Sequence, residues 1–197
     1  GVTMAFAKGA QMPESGTSHF VIVDHDGTAI SYTSTIEGLF GSGLMTGGYF
    51  LNNELTDFSF TPQADGRPIA NRVEGGKRPR SSMAPTVIYG PDGKLFMAVG
   101  AAGGATIPAQ VTRAIIGAID WKMNPKQALA LPVLFAPGDT VIVEKGSKLE
   151  AMIPQLRKLG HEVEARELPL KANAAVQRGE KWTGAADPRS EGIAIAP

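Results

Sequence analysis

Apolar and β-branched residues fill two short stretches near the start of the chain, residues 20–23 and 29–35. Asp24 and Gly27, which stand between them, are residue types that favour turns. The pattern therefore predicts a β-hairpin. Its first strand opens at Thr17 and its second ends in three hydroxyl residues, and hydroxyls on antiparallel strands can meet across the ladder.

A second hairpin is predicted by residues 86–89 and 95–99, which flank the turn Gly90-Pro91-Asp92-Gly93. A glycine-rich loop then leads to Thr106, a residue type that caps helix N-termini. The apolar residues that follow have helical spacing: Ile107, Val111, Ile115, Ala118, Ile119 and Met123. We therefore expect a glycine loop that feeds directly into a helix.

The remaining chain predicts a long surface loop followed, after the helix, by alternating short elements. The loop covers 61–80; the later elements are a strand at 140–144, a helix at 147–159, a strand at 161–168 and short β-segments near 172–177 and 192–196. Strands come first, then helices, then strands, which favours a layered α+β fold over alternating parallel βαβ units. We expect residues 1–16 to be a lead-in segment and residues 17–197 to form one domain.

Composition and charge remove several function classes. The 197 residues include 19 basic and 19 acidic side chains, so no net field favours nucleic acid or an anionic membrane. No apolar run approaches the roughly 20 residues of a membrane span. Cysteine is absent and histidine occurs three times in unrelated contexts, so we expect no metal site and no cofactor. The sequence also lacks the GxSxG elbow and the GxxxxGKS phosphate loop.

The hydroxyl of Thr17 remains as a candidate nucleophile. A threonine needs a base, and its own α-amino group can serve once the residue becomes a chain N-terminus. The reference pKa of that amine is about 8, so a useful fraction is unprotonated near neutrality. Gly16, which precedes it, tolerates a distorted backbone and leaves its carbonyl accessible, as a self-cleaving junction requires.

Six motifs in fixed order make the chain resemble the small subunit of the γ-glutamyltransferase family. They are TSHFVIVDHDG, TSTIEGLFGSG, LNNELTDFSF, KRPRSSMAPT, GAAGGA and GAADPR, and they extend from Thr17 to Arg189. The resemblance implies an N-terminal-nucleophile hydrolase, with stacked antiparallel β-sheets sandwiched by helices. It also implies a precursor cut before Thr17, a large-subunit partner from the same precursor, and a periplasmic or extracellular location.

The resemblance assigns roles to individual residues. Thr17 matches the catalytic threonine, and Thr35 matches a second threonine whose hydroxyl supports it. Gly103 and Gly104 match the glycine pair whose backbone amides form the oxyanion hole. This agrees with the residues themselves, because unhindered amides before a helix N-terminus favour negative charge.

The substrate-binding residues are assigned in the same way. Glu54 and Asp57 match positions that hold the α-amino group of the substrate, and Ser81 and Ser82 match a serine pair that binds its α-carboxylate. Glu37 stands where well-known members carry an asparagine that also touches the amine. A carboxylate there either strengthens amine binding or repels its acidic neighbours and signals a different acyl group.

Three functions stay open at this point. The first is γ-glutamyl transfer to water or to an acceptor amine, from glutathione or a related compound. The second keeps the nucleophile and changes the acyl group, as in cephalosporin or glutaryl acylases. The third is a non-catalytic chain, because residues 1–16 leave the Thr17 nitrogen in a peptide bond for as long as they stay attached.

Overall fold

The computed structural model describes Ala7 and residues 16–196. The chain divides into two compact units, of which the first comprises Gly1–Gly16 and Thr35–Ser81 and the second comprises Thr17–Ser34 and Ser82–Pro197. Apart from Ala7 and Gly16, the predicted lead-in segment lies outside the described residues. The boundary between it and a domain at 17–197 stays a prediction.

The secondary structure confirms both hairpins and the glycine loop that feeds a helix. The strands are β1 (Ser18–Val23), β2 (Ala29–Ser34), β3 (Met45–Thr46), β4 (Tyr49–Phe50), β5 (Gln63–Ala64), β6 (Arg67–Pro68), β7 (Thr86–Tyr89), β8 (Leu95–Ala102), β9 (Leu134–Phe135), β10 (Thr140–Glu144), β11 (Glu162–Arg166), β12 (Lys171–Arg178) and β13 (Lys181–Ala186). The α-helices are α1 (Ile107–Ile119), α2 (Pro125–Leu129) and α3 (Ile153–Lys158), and 3₁₀ turns cover Glu54–Asp57, Gly104–Thr106 and Lys148–Met152.

The core of the second unit lies between α1 and an antiparallel sheet of order β13-β12-β8-β7. Alternate residues of β8, among them Met97, Val99 and Ala101, point to the helix because side chains alternate across a strand. Their partners on α1 include Ile107 and Val111, and all five are almost fully buried. The apolar stripe of the helix therefore meets one face of the sheet.

The opposite face of this sheet is covered by the hairpin β1–β2, which contacts β8 and β12. The side chain of Ser31 on β2 donates a hydrogen bond to the carbonyl oxygen of Val99 at 3.0 Å. Small residues on the covered face, such as Ala98 and Gly100, allow the two β layers to approach closely. The core of the unit is thus a helix layer and two β layers, and the predicted layered α+β arrangement is confirmed.

Several predicted elements differ from the observed ones. Strands β10 and β11 pair in parallel around α3, so one βαβ unit does occur. The helix predicted at 147–159 is a 3₁₀ turn followed by the short α3, because proline at 154 fits only the first turn of a helix. Residues 192–196 form no strand, and β13 pairs with β12 instead.

The first unit contains two short hairpins, β3–β4 and β5–β6, the latter inside the segment predicted as an unstructured loop. The N–H of Ala7 donates to the carbonyl oxygen of Pro68 at 3.0 Å, and Phe58 and Ile69 are buried. Across Ala7 and residues 16–196, no helix has the length and apolar character needed to cross a membrane.

Candidate active site

Thr17 lies directly before β1 in the second unit and is partly buried. The last pair of the β1–β2 ladder is Ser18 with Ser34, and these residues follow Thr17 and precede Thr35 in the chain. Thr17 lines a pocket of about 170 Å³ whose other walls include Ala102 and Asn173. The pocket therefore brings the predicted nucleophile together with the residue that precedes Gly103.

The glycine pair adopts backbone angles that other residues avoid. Gly103 has a φ of 120° and Gly104 a φ of 57°. A Cβ atom on Gly103 would overlap the carbonyl oxygen of Pro169 and lie 2.8 Å from Oγ1 of Thr106. At Gly103 the conformation and the space both require glycine. The pair leads through the 3₁₀ turn Gly104–Thr106 into α1, and backbone amides near a helix N-terminus favour negative charge.

A buried amide side chain, Gln110, holds this loop in place. Its Nε2 group donates to the carbonyl oxygen of Ala102 and to Oγ1 of Thr106, both at 2.8 Å, and its Oε1 accepts from the N–H of Lys171 at 3.0 Å. Thr106 stands at the N-cap position but makes no capping bond, and its hydroxyl donates to the carbonyl oxygen of Gly103 at 2.8 Å. One side chain thus joins β8, the glycine loop and β12.

In the first unit, Glu37 is buried and has a φ of 73°, which is uncommon outside glycine. Its N–H donates to Oγ1 of Thr35 at 2.8 Å, so the predicted supporting hydroxyl also shapes this turn. Gly16 packs against the same backbone, and a Cβ atom on it would lie 2.5 Å from the carbonyl oxygen of Glu37 and 2.9 Å from that of Gly38. The residue before the predicted cleavage point is therefore confined to glycine.

Asn53 links Glu37 to the turn that carries the two predicted amine-binding acids. Its Nδ2 group donates to Oε2 of Glu37 at 3.2 Å, and its Oδ1 accepts from the N–H of Gly38 at 2.9 Å. The next residues form the 3₁₀ turn Glu54–Asp57, and residues three apart on such a turn share a face. The acids are thus held on one short element that directly follows Asn53, which is bonded to the Glu37 side chain and the Gly38 backbone.

The carboxyl group of Asp57 is electrostatically perturbed. Burial raises its pKa above the ordinary value, the nearby charge of Glu37 raises it further, and the guanidinium of Arg80 opposes both effects. The neutral form of Asp57 is therefore stabilised by its surroundings, and a bound cation would restore the charged form.

The predicted site residues divide between the two units. Thr35, Glu37, Glu54, Asp57 and Ser81 belong to the first unit, and Thr17, Ser82, Gly103 and Gly104 belong to the second. Ser81 is exposed and Ser82 partly buried, in an extended segment before β7. Their individual roles stay predictions.

His19 is the histidine nearest in sequence to Thr17, and burial lowers its pKa to about 4. Its Nδ1 atom lies 2.8 Å from Oγ1 of Thr33, and its Nε2 atom is buried without a hydrogen-bond partner. The ring is therefore neutral at neutral pH. Within residues 16–196 and Ala7, no cluster of three or more potential ligand side chains is placed to hold a metal ion.

Three residues with amide side chains were not predicted from the sequence: Asn53, Gln110 and Asn173. Gln110 carried a signal, because it is a polar residue on the apolar side of a helix, three positions after Ile107. Asn173 carried a similar one, since it lies among the alanines of β12. Both signals indicate a buried hydrogen-bonding group without identifying its partners.

Comparison with known proteins places this geometry in a family. The family model described as gamma-glutamyltranspeptidase matches residues 2–196. The glutathione hydrolase proenzyme of Bacillus subtilis strain 168 is 38% identical over 150 residues, which are 75% of this chain and 24% of that protein. The glutathione hydrolase proenzyme of Escherichia coli K12 is 34% identical over 189 residues, covering 88% of this chain and 31% of that protein. The chain therefore spans about a quarter to a third of the length of these relatives.

A solved structure agrees with these sequence comparisons. The Helicobacter pylori gamma-glutamyltranspeptidase T380A mutant superposes with a TM-score of 0.76 at 31% identity, covering 87% of this chain and 99% of that one. The likeness confirms the predicted N-terminal-nucleophile hydrolase fold. Because the family model spans nearly the whole chain and the sequence relatives and the solved structure agree with it, the chain belongs to the gamma-glutamyltranspeptidase family.

Proposed function

We propose that this chain is the catalytic small subunit of an enzyme that transfers γ-glutamyl groups from glutathione or a related compound to water or an acceptor amine. Thr17 is its nucleophile. The observation that carries the proposal is the pocket that Thr17 shares with Ala102, the residue directly before the Gly103-Gly104 loop. A nucleophile and an oxyanion-binding loop at one cavity are what acyl transfer requires.

The first reaction is the cut that creates the nucleophile. The hydroxyl oxygen of Thr17 attacks the carbonyl carbon of Gly16, the C–N bond breaks, and the departing nitrogen takes up a proton. Water then hydrolyses the resulting ester, which releases the Gly16 carboxylate and a free α-amine on Thr17. That amine is the base for later turnovers, with a reference pKa of about 8. Close packing of Gly16 against the backbone of Glu37 and Gly38 supports a fixed position for the scissile bond.

Turnover repeats the same chemistry on the substrate. Thr17 attacks the γ-amide carbon, its hydroxyl proton passes to the α-amine, and that proton leaves with the released amine. The backbone amides of Gly103 and Gly104 stabilise the negative oxygen of the intermediate, and each such donor is worth about 3 kcal/mol in the transition state. Water or an acceptor amine then takes the γ-glutamyl group from the ester.

The proposed roles in binding the substrate head follow from residue chemistry. Glu37, Glu54 and Asp57 accept hydrogen bonds from the α-ammonium group, and Ser81 and Ser82 donate to the α-carboxylate. The burial of Glu37 and the placement of both other acids on one turn support this assignment. Burial and then the charge of Glu37 raise the pKa of Asp57, and an ammonium ligand opposes both effects by pairing with the ionised carboxylate.

The partner of this chain is a large subunit from the same precursor. The proposal is supported by the length of the relatives, which are proenzymes of which this chain covers 24% and 31%. The expected location, periplasmic or extracellular, follows from the family resemblance, and fractionation of producing cells tests it.

Substitution of the nucleophile tests the proposed function. Thr17→Ala in the full precursor abolishes both the cut after Gly16 and the hydrolysis of a γ-glutamyl anilide, measured by intact mass and initial rates. Thr28→Ala is the matched control, because Thr28 lies exposed in the turn of the same hairpin, and it leaves both activities intact. Normal cleavage in Thr17→Ala defeats the proposal.

A second comparison tests the acyl group. The wild-type enzyme is assayed with a γ-glutamyl anilide and with a glutaryl anilide, which lacks the α-amine. We expect preference for the γ-glutamyl compound, because its α-ammonium group can donate charge-assisted hydrogen bonds to the carboxylates of Glu37, Glu54 and Asp57, whereas the glutaryl compound offers no cation. Preference for the glutaryl compound supports the acylase alternative.

A further inference from the structure

His19, two residues after the nucleophile, packs closely against the four-stranded sheet. Its ring rests against Gly100 on β8, where any Cβ atom would overlap the ring atoms. In the sheet register, Gly100 pairs with Asn173 on the neighbouring strand β12. The missing side chain at Gly100 and the amide of Asn173 therefore act at one spot beneath the start of β1.

Asn173 holds the backbone at this spot. Its Nδ2 group donates to the carbonyl oxygen of His19 at 2.7 Å, and the side chain is partly buried between the two β layers. The ring of His19 is held on the other side, where Nδ1 lies 2.8 Å from Oγ1 of Thr33. Both the main chain and the side chain of His19 are thus fixed by different strands.

Thr17 lies next to this fixed point but outside the strand, because β1 begins only at Ser18. The ladder ends with the pair Ser18 and Ser34, so Thr17 has no strand neighbour within β1–β2 to hold it. Asn173 lines the same pocket as Thr17 but carries no group that the acyl-transfer chemistry needs. Its amide is committed to the His19 carbonyl.

We propose that Asn173 is a positioning residue for the nucleophile: by holding the His19 carbonyl, it fixes the start of β1 and thereby the hydroxyl of Thr17. The inference rests on the proposed role of Thr17. A misplacement of about 1 Å at a reacting group costs on the order of 10²-fold in rate. Loss of this hydrogen bond therefore affects the rate of acylation more than the binding of substrate.

The chain offers a matched control in Ser31. Its side chain also ties the hairpin to the four-stranded sheet, through a 3.0 Å hydrogen bond to the carbonyl oxygen of Val99. Ser31 pairs with Val21, so this tie lies two residues further along β1 from Thr17 than the tie at His19. Removing it weakens the same layer contact without releasing the start of the strand.

The experiment compares Asn173→Ala with Ser31→Ala in the full precursor. Both variants lower Tm by similar amounts. Asn173→Ala also lowers kcat and the burst rate of acylation roughly 10- to 100-fold, with KM changed by less than about twofold, whereas Ser31→Ala keeps kcat within about twofold of the wild type. Should Asn173→Ala fail to assemble, Asn173→Asp is measured in its place, since it keeps the side-chain shape and loses the donated N–H.

Two results overturn the inference: a kcat within about twofold of the wild type in the Asn173 variant, or an equal loss of kcat in Ser31→Ala. Thr17→Ala is measured alongside. If Thr17→Ala is inactive while the Asn173 variant is normal, only the positioning role fails. If Thr17→Ala is still cleaved and active, the proposed function itself fails.

Discussion

Gly103→Ala is the substitution that tests the glycine loop most directly. The φ of Gly103 is 120°, outside the range that alanine favours. The added methyl group would overlap the carbonyl oxygen of Pro169 and lie 2.8 Å from Oγ1 of Thr106 and 3.1 Å from Nε2 of Gln110. These atoms are backbone or hydrogen-bonded to each other, so the loop must move instead.

The free-energy cost of placing alanine at position 103 in the observed loop conformation has two parts. The unfavourable backbone conformation costs about 1–2 kcal/mol for a residue with a Cβ atom. Overpacking against Pro169 adds about 1–3 kcal/mol. A loop that relieves about 2–5 kcal/mol by moving displaces the amides proposed to bind the oxyanion, and loss of such a donor lowers kcat by about 10²- to 10³-fold.

The assay measures initial rates on a γ-glutamyl anilide, over concentrations from below to above KM. Intact mass first establishes that the variant precursor is cut before Thr17. We expect a large fall in kcat with little change in KM, because the groups proposed to bind the substrate head belong to other segments. A variant that lowers kcat and kcat/KM equally has lost an interaction made only in the transition state.

Gly93→Ala provides the control. Gly93 has a φ of 75° in the turn between β7 and β8, and no atom lies within 4 Å of an added Cβ. The control therefore carries the backbone cost without the overlap, and we expect a modest fall in Tm with unchanged kcat. The reasoning is refuted if Gly103→Ala keeps kcat within about threefold of the wild type, or if Gly93→Ala loses as much.

Two further substitutions probe the first unit. Gly16→Ala slows the appearance of the free Thr17 chain at least about tenfold by intact mass, because its methyl group would meet the Glu37 carbonyl oxygen at 2.5 Å, and a misplaced scissile carbon reacts slowly. Gly75→Ala, where no atom lies within 4 Å, leaves the rate unchanged, and equal slowing in both variants contradicts the steric argument. Glu37→Gln removes the charge that raises the pKa of Asp57. Asp57 loses its negative charge as the pH falls through its raised pKa, and free glutamate, the hydrolysis product, then binds less tightly as an inhibitor. In Glu37→Gln the pKa of Asp57 is lower, so we expect inhibition by glutamate to weaken at a lower pH than in the wild type. An inhibition constant with the same pH profile in both proteins contradicts the coupling.

Local residue chemistry predicted the elements whose formation is local. The β1–β2 hairpin follows from its turn residues, and β10 has the predicted bounds of residues 140–144 because its apolar run is short and clearly flanked. Strand β13 was missed because its small and polar residues become a strand only by pairing with β12. Residues 192–196 have the alternation of a strand but find no ladder partner. Pairing decides such segments, and it is invisible in the local pattern.

The site residues likewise divide into those that the local sequence predicts and those that depend on distant contacts. Thr17 and the glycine pair were predicted from motifs, and the strained angles of Gly103 and Gly104 give a physical reason for their residue type. Gln110 and Asn173 form hydrogen bonds with partners that lie 61 and 154 positions away in the chain, respectively. The local pattern marks both residues as buried polar groups, but their partners are defined only when the strands are assembled.

The three hydrogen bonds of the Gln110 side chain also have a consequence for the order of events during biosynthesis. A ribosome releases the glycine loop before it makes Lys171, whose N–H completes the set of partners of Gln110. At about 5–20 residues per second, the intervening 61 positions take roughly 3–12 s to translate. During that interval Thr17 and Gly16 already exist, but the glycine loop that we propose binds the oxyanion lacks one of the bonds that hold it. We therefore expect cleavage only after β12 has been synthesised, and a nascent chain that ends before Lys171 to stay uncut.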